Sequence, residues 1–158
     1  MLSEGDMLPD AGLTGTDDMP IRLADFRGKP LVVYFYPKAD TPGCTTEAID
    51  FTGLVDQFSA LGVPVVAVSK DSPRKLARFA EKHALAVTLA SDADGTVCEA
   101  FGTWVEKNMY GRRYMGIQRA TFLADRTGKI VHVWPKVKVK GHAAEVLAAV
   151  EALGETLG

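Results

Sequence analysis

Leu31-Val-Val-Tyr-Phe-Tyr36, followed by Pro37-Lys-Ala-Asp-Thr-Pro-Gly-Cys44, is the stretch from which the fold can be read. The first six residues are a continuous β-branched and aromatic run without polar alternation. That pattern predicts a strand buried on both faces, as in a sheet covered by helices. Pro37 ends the run, and Pro37 to Gly43 reads as a turn. Beyond it, Thr45 to Leu61 is expected to be a helix, because Phe51, Leu54, Val55 and Phe58 recur at i, i+3, i+4 and i+7. A buried strand feeding a helix through a tight loop is the repeating unit of an α/β protein.

The same alternation continues outward. Val63 to Ser69 reads as the next buried strand, and Ser72-Pro73 as an N-cap followed by a first helical proline. Leu76, Phe79, Ala80 and His83 form one face of that helix. A short strand follows at Val87 to Ala90, then a brief helix begun at Asp92 to Gly95 and ending at Phe101. Glu106 to Met115 reads as a loop. Ala120 to Ala124 and Ile130 to Trp134 read as strands joined by the turn Asp125-Arg-Thr-Gly128. Ala143, Val146, Leu147, Val150 and Leu153 define a closing amphipathic helix. Upstream, turn formers fill residues 10–30, with short strands around Leu13 and Ile21 to Leu23 expected as an N-terminal β-hairpin. The order predicts a mixed central sheet flanked by helices, and a thioredoxin-like three-layer sandwich is the natural form of it. No repeat or linker interrupts the chain, so residues 1–158 are expected to form a single domain.

Composition narrows the function. At 158 residues and 47% hydrophobic content the chain can bury a core without staples. Eighteen basic against twenty acidic residues leave a net charge of −2, which disfavours nucleic-acid binding by bulk electrostatics. No apolar run approaches the roughly 20 residues of a membrane span, and the N-terminus has no secretory pattern. A cytoplasmic protein with reduced thiols is expected. Its two cysteines, Cys44 and Cys98, form no Cys-x-x-Cys pair. His83, His132 and His142 show no metal-ligand spacing with them.

Cys44 falls where the buried strand gives way to a helix. Free backbone N–H groups and the positive end of the helix dipole meet in that first turn, and both favour a thiolate. Thr41 stands three residues upstream, within reach of a ligand held at the sulfur. Gly43 lets backbone approach that ligand without a side chain in the way.

Phe35-Tyr-Pro-Lys-Ala-Asp-Thr-Pro-Gly-Cys-Thr-Thr-Glu-Ala48 resembles the active-site loop of the peroxiredoxins, and most closely that of the PrxQ branch, also called bacterioferritin comigratory protein. Pro37, Thr41 and Cys44 match the family pattern Pro-x-x-x-Thr-x-x-Cys. The likeness extends through Asp25-Phe-Arg-Gly-Lys-Pro30, Val68-Ser-Lys-Asp-Ser72, Ser91-Asp92 and Arg119-Ala-Thr-Phe122. It implies a thiol peroxidase that reduces hydrogen peroxide or an organic hydroperoxide without metal or organic cofactor. Cys44 would attack a peroxide oxygen and become a sulfenic acid. Thr41 would hold the two oxygens in line with the sulfur. Arg119 would keep the thiolate ionised and stabilise charge as the O–O bond breaks. Pro37 would shield the sulfenate, the amides of Gly43 and Cys44 would donate to the peroxide, and Glu47 would support the arginine. A non-catalytic peroxide-sensing module on the same fold is the alternative.

The chain departs from its relatives in the recycling step. PrxQ proteins often carry a resolving cysteine five residues after the first, where this chain has Ile49, or in the next helix, where it has Ala80 and no cysteine. Three routes remain. Cys98 could resolve the sulfenic acid after local unfolding, a second subunit's cysteine could do so, or an external thiol could attack directly. A buried structural Cys98 and a one-cysteine cycle are expected, with a small thiol or thioredoxin-like protein as reductant and a monomer or weak homodimer as the working form. Lys136, Lys138 and Lys140, alternating with Val137 and Val139, read as a charged sheet edge. Trp104, Tyr110 and Tyr114 flank the basic loop, either as packing or as a docking surface.

Overall fold

The computed structural model of the protein describes residues 1–157. In chain order the elements are β1 (Gly12–Gly15), β2 (Pro20–Arg22), a 3-10 turn (Leu23–Phe26), β3 (Leu31–Phe35), α1 (Pro42–Gly53) and α2 (Val55–Ala60). Then come β4 (Val65–Ser69), α3 (Pro73–His83), β5 (Thr88–Ser91), α4 (Thr96–Phe101), β6 (Trp104–Met109) and β7 (Arg112–Ile117). The chain closes with β8 (Ala120–Ala124), β9 (Ile130–Trp134) and α5 (His142–Leu157). Seven strands make one sheet in the order β2-β1-β5-β4-β3-β8-β9, and β6 and β7 form a separate ribbon. The strands β3, β4 and β5 run parallel, while β1, β8 and β9 join antiparallel. This is the mixed, thioredoxin-like sandwich with its N-terminal β1–β2 hairpin.

Every residue of β3, β4 and β8 is buried. The pleat sorts them onto two faces. Val32, Tyr34, Val65, Ala67 and Leu89 pack with Phe51 of α1, Phe58 of α2, Leu76 and Phe79 of α3, and Val146 and Val150 of α5. Val33, Phe35, Val66, Val68 and Ala90 pack with Val97, Cys98 and Phe101 of α4. Tyr34 stacks on Phe51 at 4.6 Å between ring centroids, and Phe35 meets Phe101 at 4.9 Å. Cys44 belongs to the first cluster and Cys98 to the second, so the sheet stands between the two sulfurs.

The structure corrects four details. The expected helix from Thr45 to Leu61 starts earlier, at Pro42, and breaks at Leu54, whose backbone leaves the helical region (φ −108°, ψ 2°) just after Gly53, a weak helix former. The strand at Ile21 stops at Arg22, and Leu23 opens the 3-10 turn. The expected loop from Glu106 to Met115 is the β6–β7 hairpin. It is closed by Tyr110-Gly111 with φ of +52° and +79°, the left-handed pair that a tight two-residue hairpin turn requires. Its strands are largely exposed, so no apolar alternation marked them. Residues 136–140 form no strand. They pass beyond β9 with the lysines exposed, and Val137 N–H donates to the Arg119 carbonyl at 3.0 Å. Ser72 caps α3 as expected, accepting from Lys75 N–H at 3.3 Å. Among the described residues, no helix is long and apolar enough to cross a membrane.

Candidate active site

The loop between β3 and α1 is tied down at both ends. Asp40 takes a left-handed backbone (φ +63°), and its carboxylate accepts from Lys82 Nζ at 2.8 Å and pairs with His83 Nε2 at 2.9 Å. Ala39 N–H donates to Asp71 Oδ2 at 2.8 Å. Thr41 is the extended N-cap and Pro42 the first helical residue. The first α1 bond runs from Thr45 N–H to the Thr41 carbonyl at 2.8 Å. Proline has no N–H, so the amides of Gly43 and Cys44 are the donors that this helix start leaves outside its own ladder.

Cys44 is 2% exposed. Arg119, which precedes β8, reaches it from the neighbouring strand: Nη2 donates to Sγ at 3.3 Å, and Nη1 donates to Glu47 Oε1 at 2.7 Å. A Cβ on Gly43 would stand 3.3 Å from Nη2, so glycine here makes room for the guanidinium. Burial opposes the Arg119 charge, but Glu47 and Cys44 outweigh it and hold the group protonated. The guanidinium thus bridges the sulfur and the carboxylate through two N–H groups. Thr41 Oγ1 donates to the Lys38 carbonyl at 2.7 Å, which leaves the hydroxyl oxygen as an acceptor. Pro37 is exposed at the mouth of the loop. Among the described residues, no three His, Cys, Asp or Glu side chains gather closely enough to hold a metal ion.

Cys44, Arg119, Glu47 and Gly43 therefore meet, with Thr41 one turn away, whereas Cys98 does not join them. It is 0% exposed in α4, where its N–H donates to Asp92 Oδ2 at 2.7 Å. Burial, and then the Asp92 carboxylate, push its thiol far above the ordinary range. Sequence reasoning did not single out Tyr34 as part of the site. Its hydroxyl is buried without a hydrogen-bond partner, and burial followed by the Glu47 charge raises its pKa. A tyrosine in a strand buried on both faces was the available signal. Lys107, read as a loop residue, also lies near the site: burial first, then Arg119, lowers its pKa, while the Cys44 charge opposes them.

Glu47 is 1% exposed, and its second oxygen has no hydrogen-bond partner. Burial pushes its carboxyl from 4.5 up to about 7, against the pull of Arg119. Because folding raises this pKa, the associated stability is fully present below about 4.5 and is lost as the pH climbs through about 7. The span corresponds to about 3 kcal/mol. Chemical denaturation of wild type and Glu47→Gln is expected to show wild type losing stability relative to the variant across that window. A difference that stays flat with pH contradicts it.

The profile of the AhpC/TSA family matches residues 5–133. The chain is 52% identical over 127 residues to the putative peroxiredoxin bcp of Coxiella burnetii, covering 80% of this chain and 84% of that one. It is 47% identical over 146 residues to the peroxiredoxin Bcp of Escherichia coli, covering 92% and 94%. A solved structure of the bacterioferritin comigratory protein of Xanthomonas campestris, studied for its alkyl peroxide reduction activity, superposes with a TM-score of 0.90 at 42% identity, covering 96% and 99%. A strand-to-helix cysteine hydrogen-bonded to a half-buried arginine on a thioredoxin-like sheet defines a thiol-dependent peroxidase. The chain belongs to the AhpC/TSA family, as a peroxiredoxin of the Bcp or PrxQ kind.

Proposed function

We propose that the chain, working as a single cytoplasmic domain, reduces hydrogen peroxide and organic hydroperoxides by a one-cysteine cycle at Cys44. The Sγ thiolate attacks the terminal oxygen of the hydroperoxide, the O–O bond breaks, and the departing oxygen leaves as alcohol or water after taking a proton. Cys44 is left as a sulfenic acid. Thr41 Oγ1 accepts a hydrogen bond from the hydroperoxide O–H and sets the oxygen pair in line with Sγ. The Gly43 and Cys44 amides and Arg119 stabilise the charge that grows on the departing oxygen. Pro37 covers the sulfenate, and Glu47 holds Arg119 in place. A thioredoxin-like protein or a small thiol then returns Cys44 to its reduced form.

The observation that carries this reading is Arg119 donating to Cys44 Sγ and Glu47 at once, beside the helix-start amides. The one-cysteine cycle is supported by the sheet between Cys44 and Cys98, and by the exposed Ile49 and the half-buried Ala80 at the usual resolving positions. Intact mass after one equivalent of peroxide, without reductant, tests it in wild type and Cys98→Ser. The expected product in both is a gain of one oxygen. A loss of two hydrogens that disappears in Cys98→Ser would instead make Cys98 the resolving residue.

A further inference from the structure

Beside Pro37 lies an open cleft of about 430 Å³, bordered by the β3–α1 loop, the β4–α3 connection and the β6–β7 ribbon. That volume falls within the range of small-molecule sites. Its walls carry Lys38, Lys70, Lys75 and Lys107 against a single carboxylate, Asp71. Asp71 is already engaged, accepting from Ala39 N–H and Ser69 Oγ at 2.8 Å each. Among the described residues, none of the four lysines is held in a salt bridge. Two of them are positioned by contacts other than ion pairs, one by a cation–π contact and one by a close backbone approach. Lys70 Nζ stands 4.0 Å over the centre of the Trp104 ring, and the Lys107 stem crosses Gly116, where a Cβ would come within 3.3 Å of Cδ. Pro37 and Lys38, from the loop that leads into the Cys44 helix, line the same cleft, which sets it beside the reactive loop.

A hydroperoxide is recognised at Cys44 itself, by Thr41, Arg119 and the two amides. The reducing thiol must come from outside the chain if the one-cysteine cycle proposed above holds, and this inference rests on that reading. We propose that the lysine-walled cleft binds a small thiol bearing carboxylates and delivers its sulfur to oxidised Cys44. The thiol sulfur attacks the sulfenic sulfur, forming Cys44–S–S–R and releasing water. A second thiol attacks the sulfur of R, giving R–S–S–R and returning Cys44 as a thiol.

The test uses peroxide-oxidised full-length protein with its sulfenate content measured first. It is mixed with mercaptosuccinate, 2-mercaptoethanol or cysteamine, each rate being scaled to that thiol's thiolate fraction. At low salt the dianion is expected to outpace the cation by about tenfold or more, and the ratio is expected to shrink at high ionic strength. In Lys70→Gln/Lys75→Gln the ratio is expected to fall at least about threefold. A ratio near one in wild type, a ratio unmoved by the double substitution, or reduction by protein thiols alone overturns the proposal. Failure to form a sulfenate, or its capture by Cys98, counts separately against the one-cysteine cycle, because it is read before any thiol is added.

Discussion

Cys44→Ser is expected to reduce peroxide turnover to background, a loss of at least about a thousandfold, while the protein stays folded. A hydroxyl is not ionised by one guanidinium and two amides, so the nucleophile is removed and not merely weakened. The change of sulfur to oxygen at a 2% exposed site leaves the surrounding packing of Ala48 and Phe51 in place. The thermal transition is therefore expected to remain cooperative. Peroxide consumed per protein, measured with excess thiol, reads the loss directly. The same assay on wild type separates the enzyme from a peroxide sensor: an enzyme consumes many equivalents, a sensor stops at one. Turnover retained in Cys44→Ser would refute the assignment of the nucleophile.

Removing the guanidinium should be nearly as damaging. Arg119→Met is expected to slow sulfenate formation by about 10²–10³-fold, the scale of losing a preorganised donor at a site of developing charge. Arg119 makes two bonds at once, to Sγ at 3.3 Å and to Glu47 at 2.7 Å, and a methionine makes neither. Arg119→Lys keeps the charge but not the planar fork, so it is expected to recover only part of the rate. Stopped-flow measurement of sulfenate formation ranks the three proteins. If Arg119→Met reacts within about threefold of wild type, the arginine has no part in the chemistry.

Much of this site was legible in the residue order. A continuous run from Leu31 to Tyr36 points to a buried strand because it is short, β-branched and aromatic, and is stopped by Pro37. The turn from Pro37 to Gly43 between a buried strand and an apolar helical periodicity places the Cys44 thiol near a helix start, and Gly43 tolerates close approach. Helical spacing sets Glu47 one turn beyond Cys44, whereas its support of Arg119 was implied by the peroxiredoxin resemblance alone. Other features were not legible, for specific reasons. The β6–β7 ribbon is exposed on most of its surface, so no alternation betrayed it. The break at Leu54 interrupts an apolar periodicity that runs straight through it. The lysines of residues 136–140 alternate with valine, which is the pattern of an edge strand, yet no strand pairs with them.

Local chemistry, then, was decided by the chain itself: which strand is buried, that a helix follows its turn, and which sulfur sits near the start of that helix. These depend on neighbours a few residues apart, and on propensities that act at that range. Which face of the sheet each cysteine occupies was decided only by the tertiary structure, as were the approach of Arg119 across 75 residues to Cys44 and the burial that lifts Glu47. Such properties depend on strand order and on desolvation by groups far away in sequence. A linear reading holds the identities of those groups but not their distances.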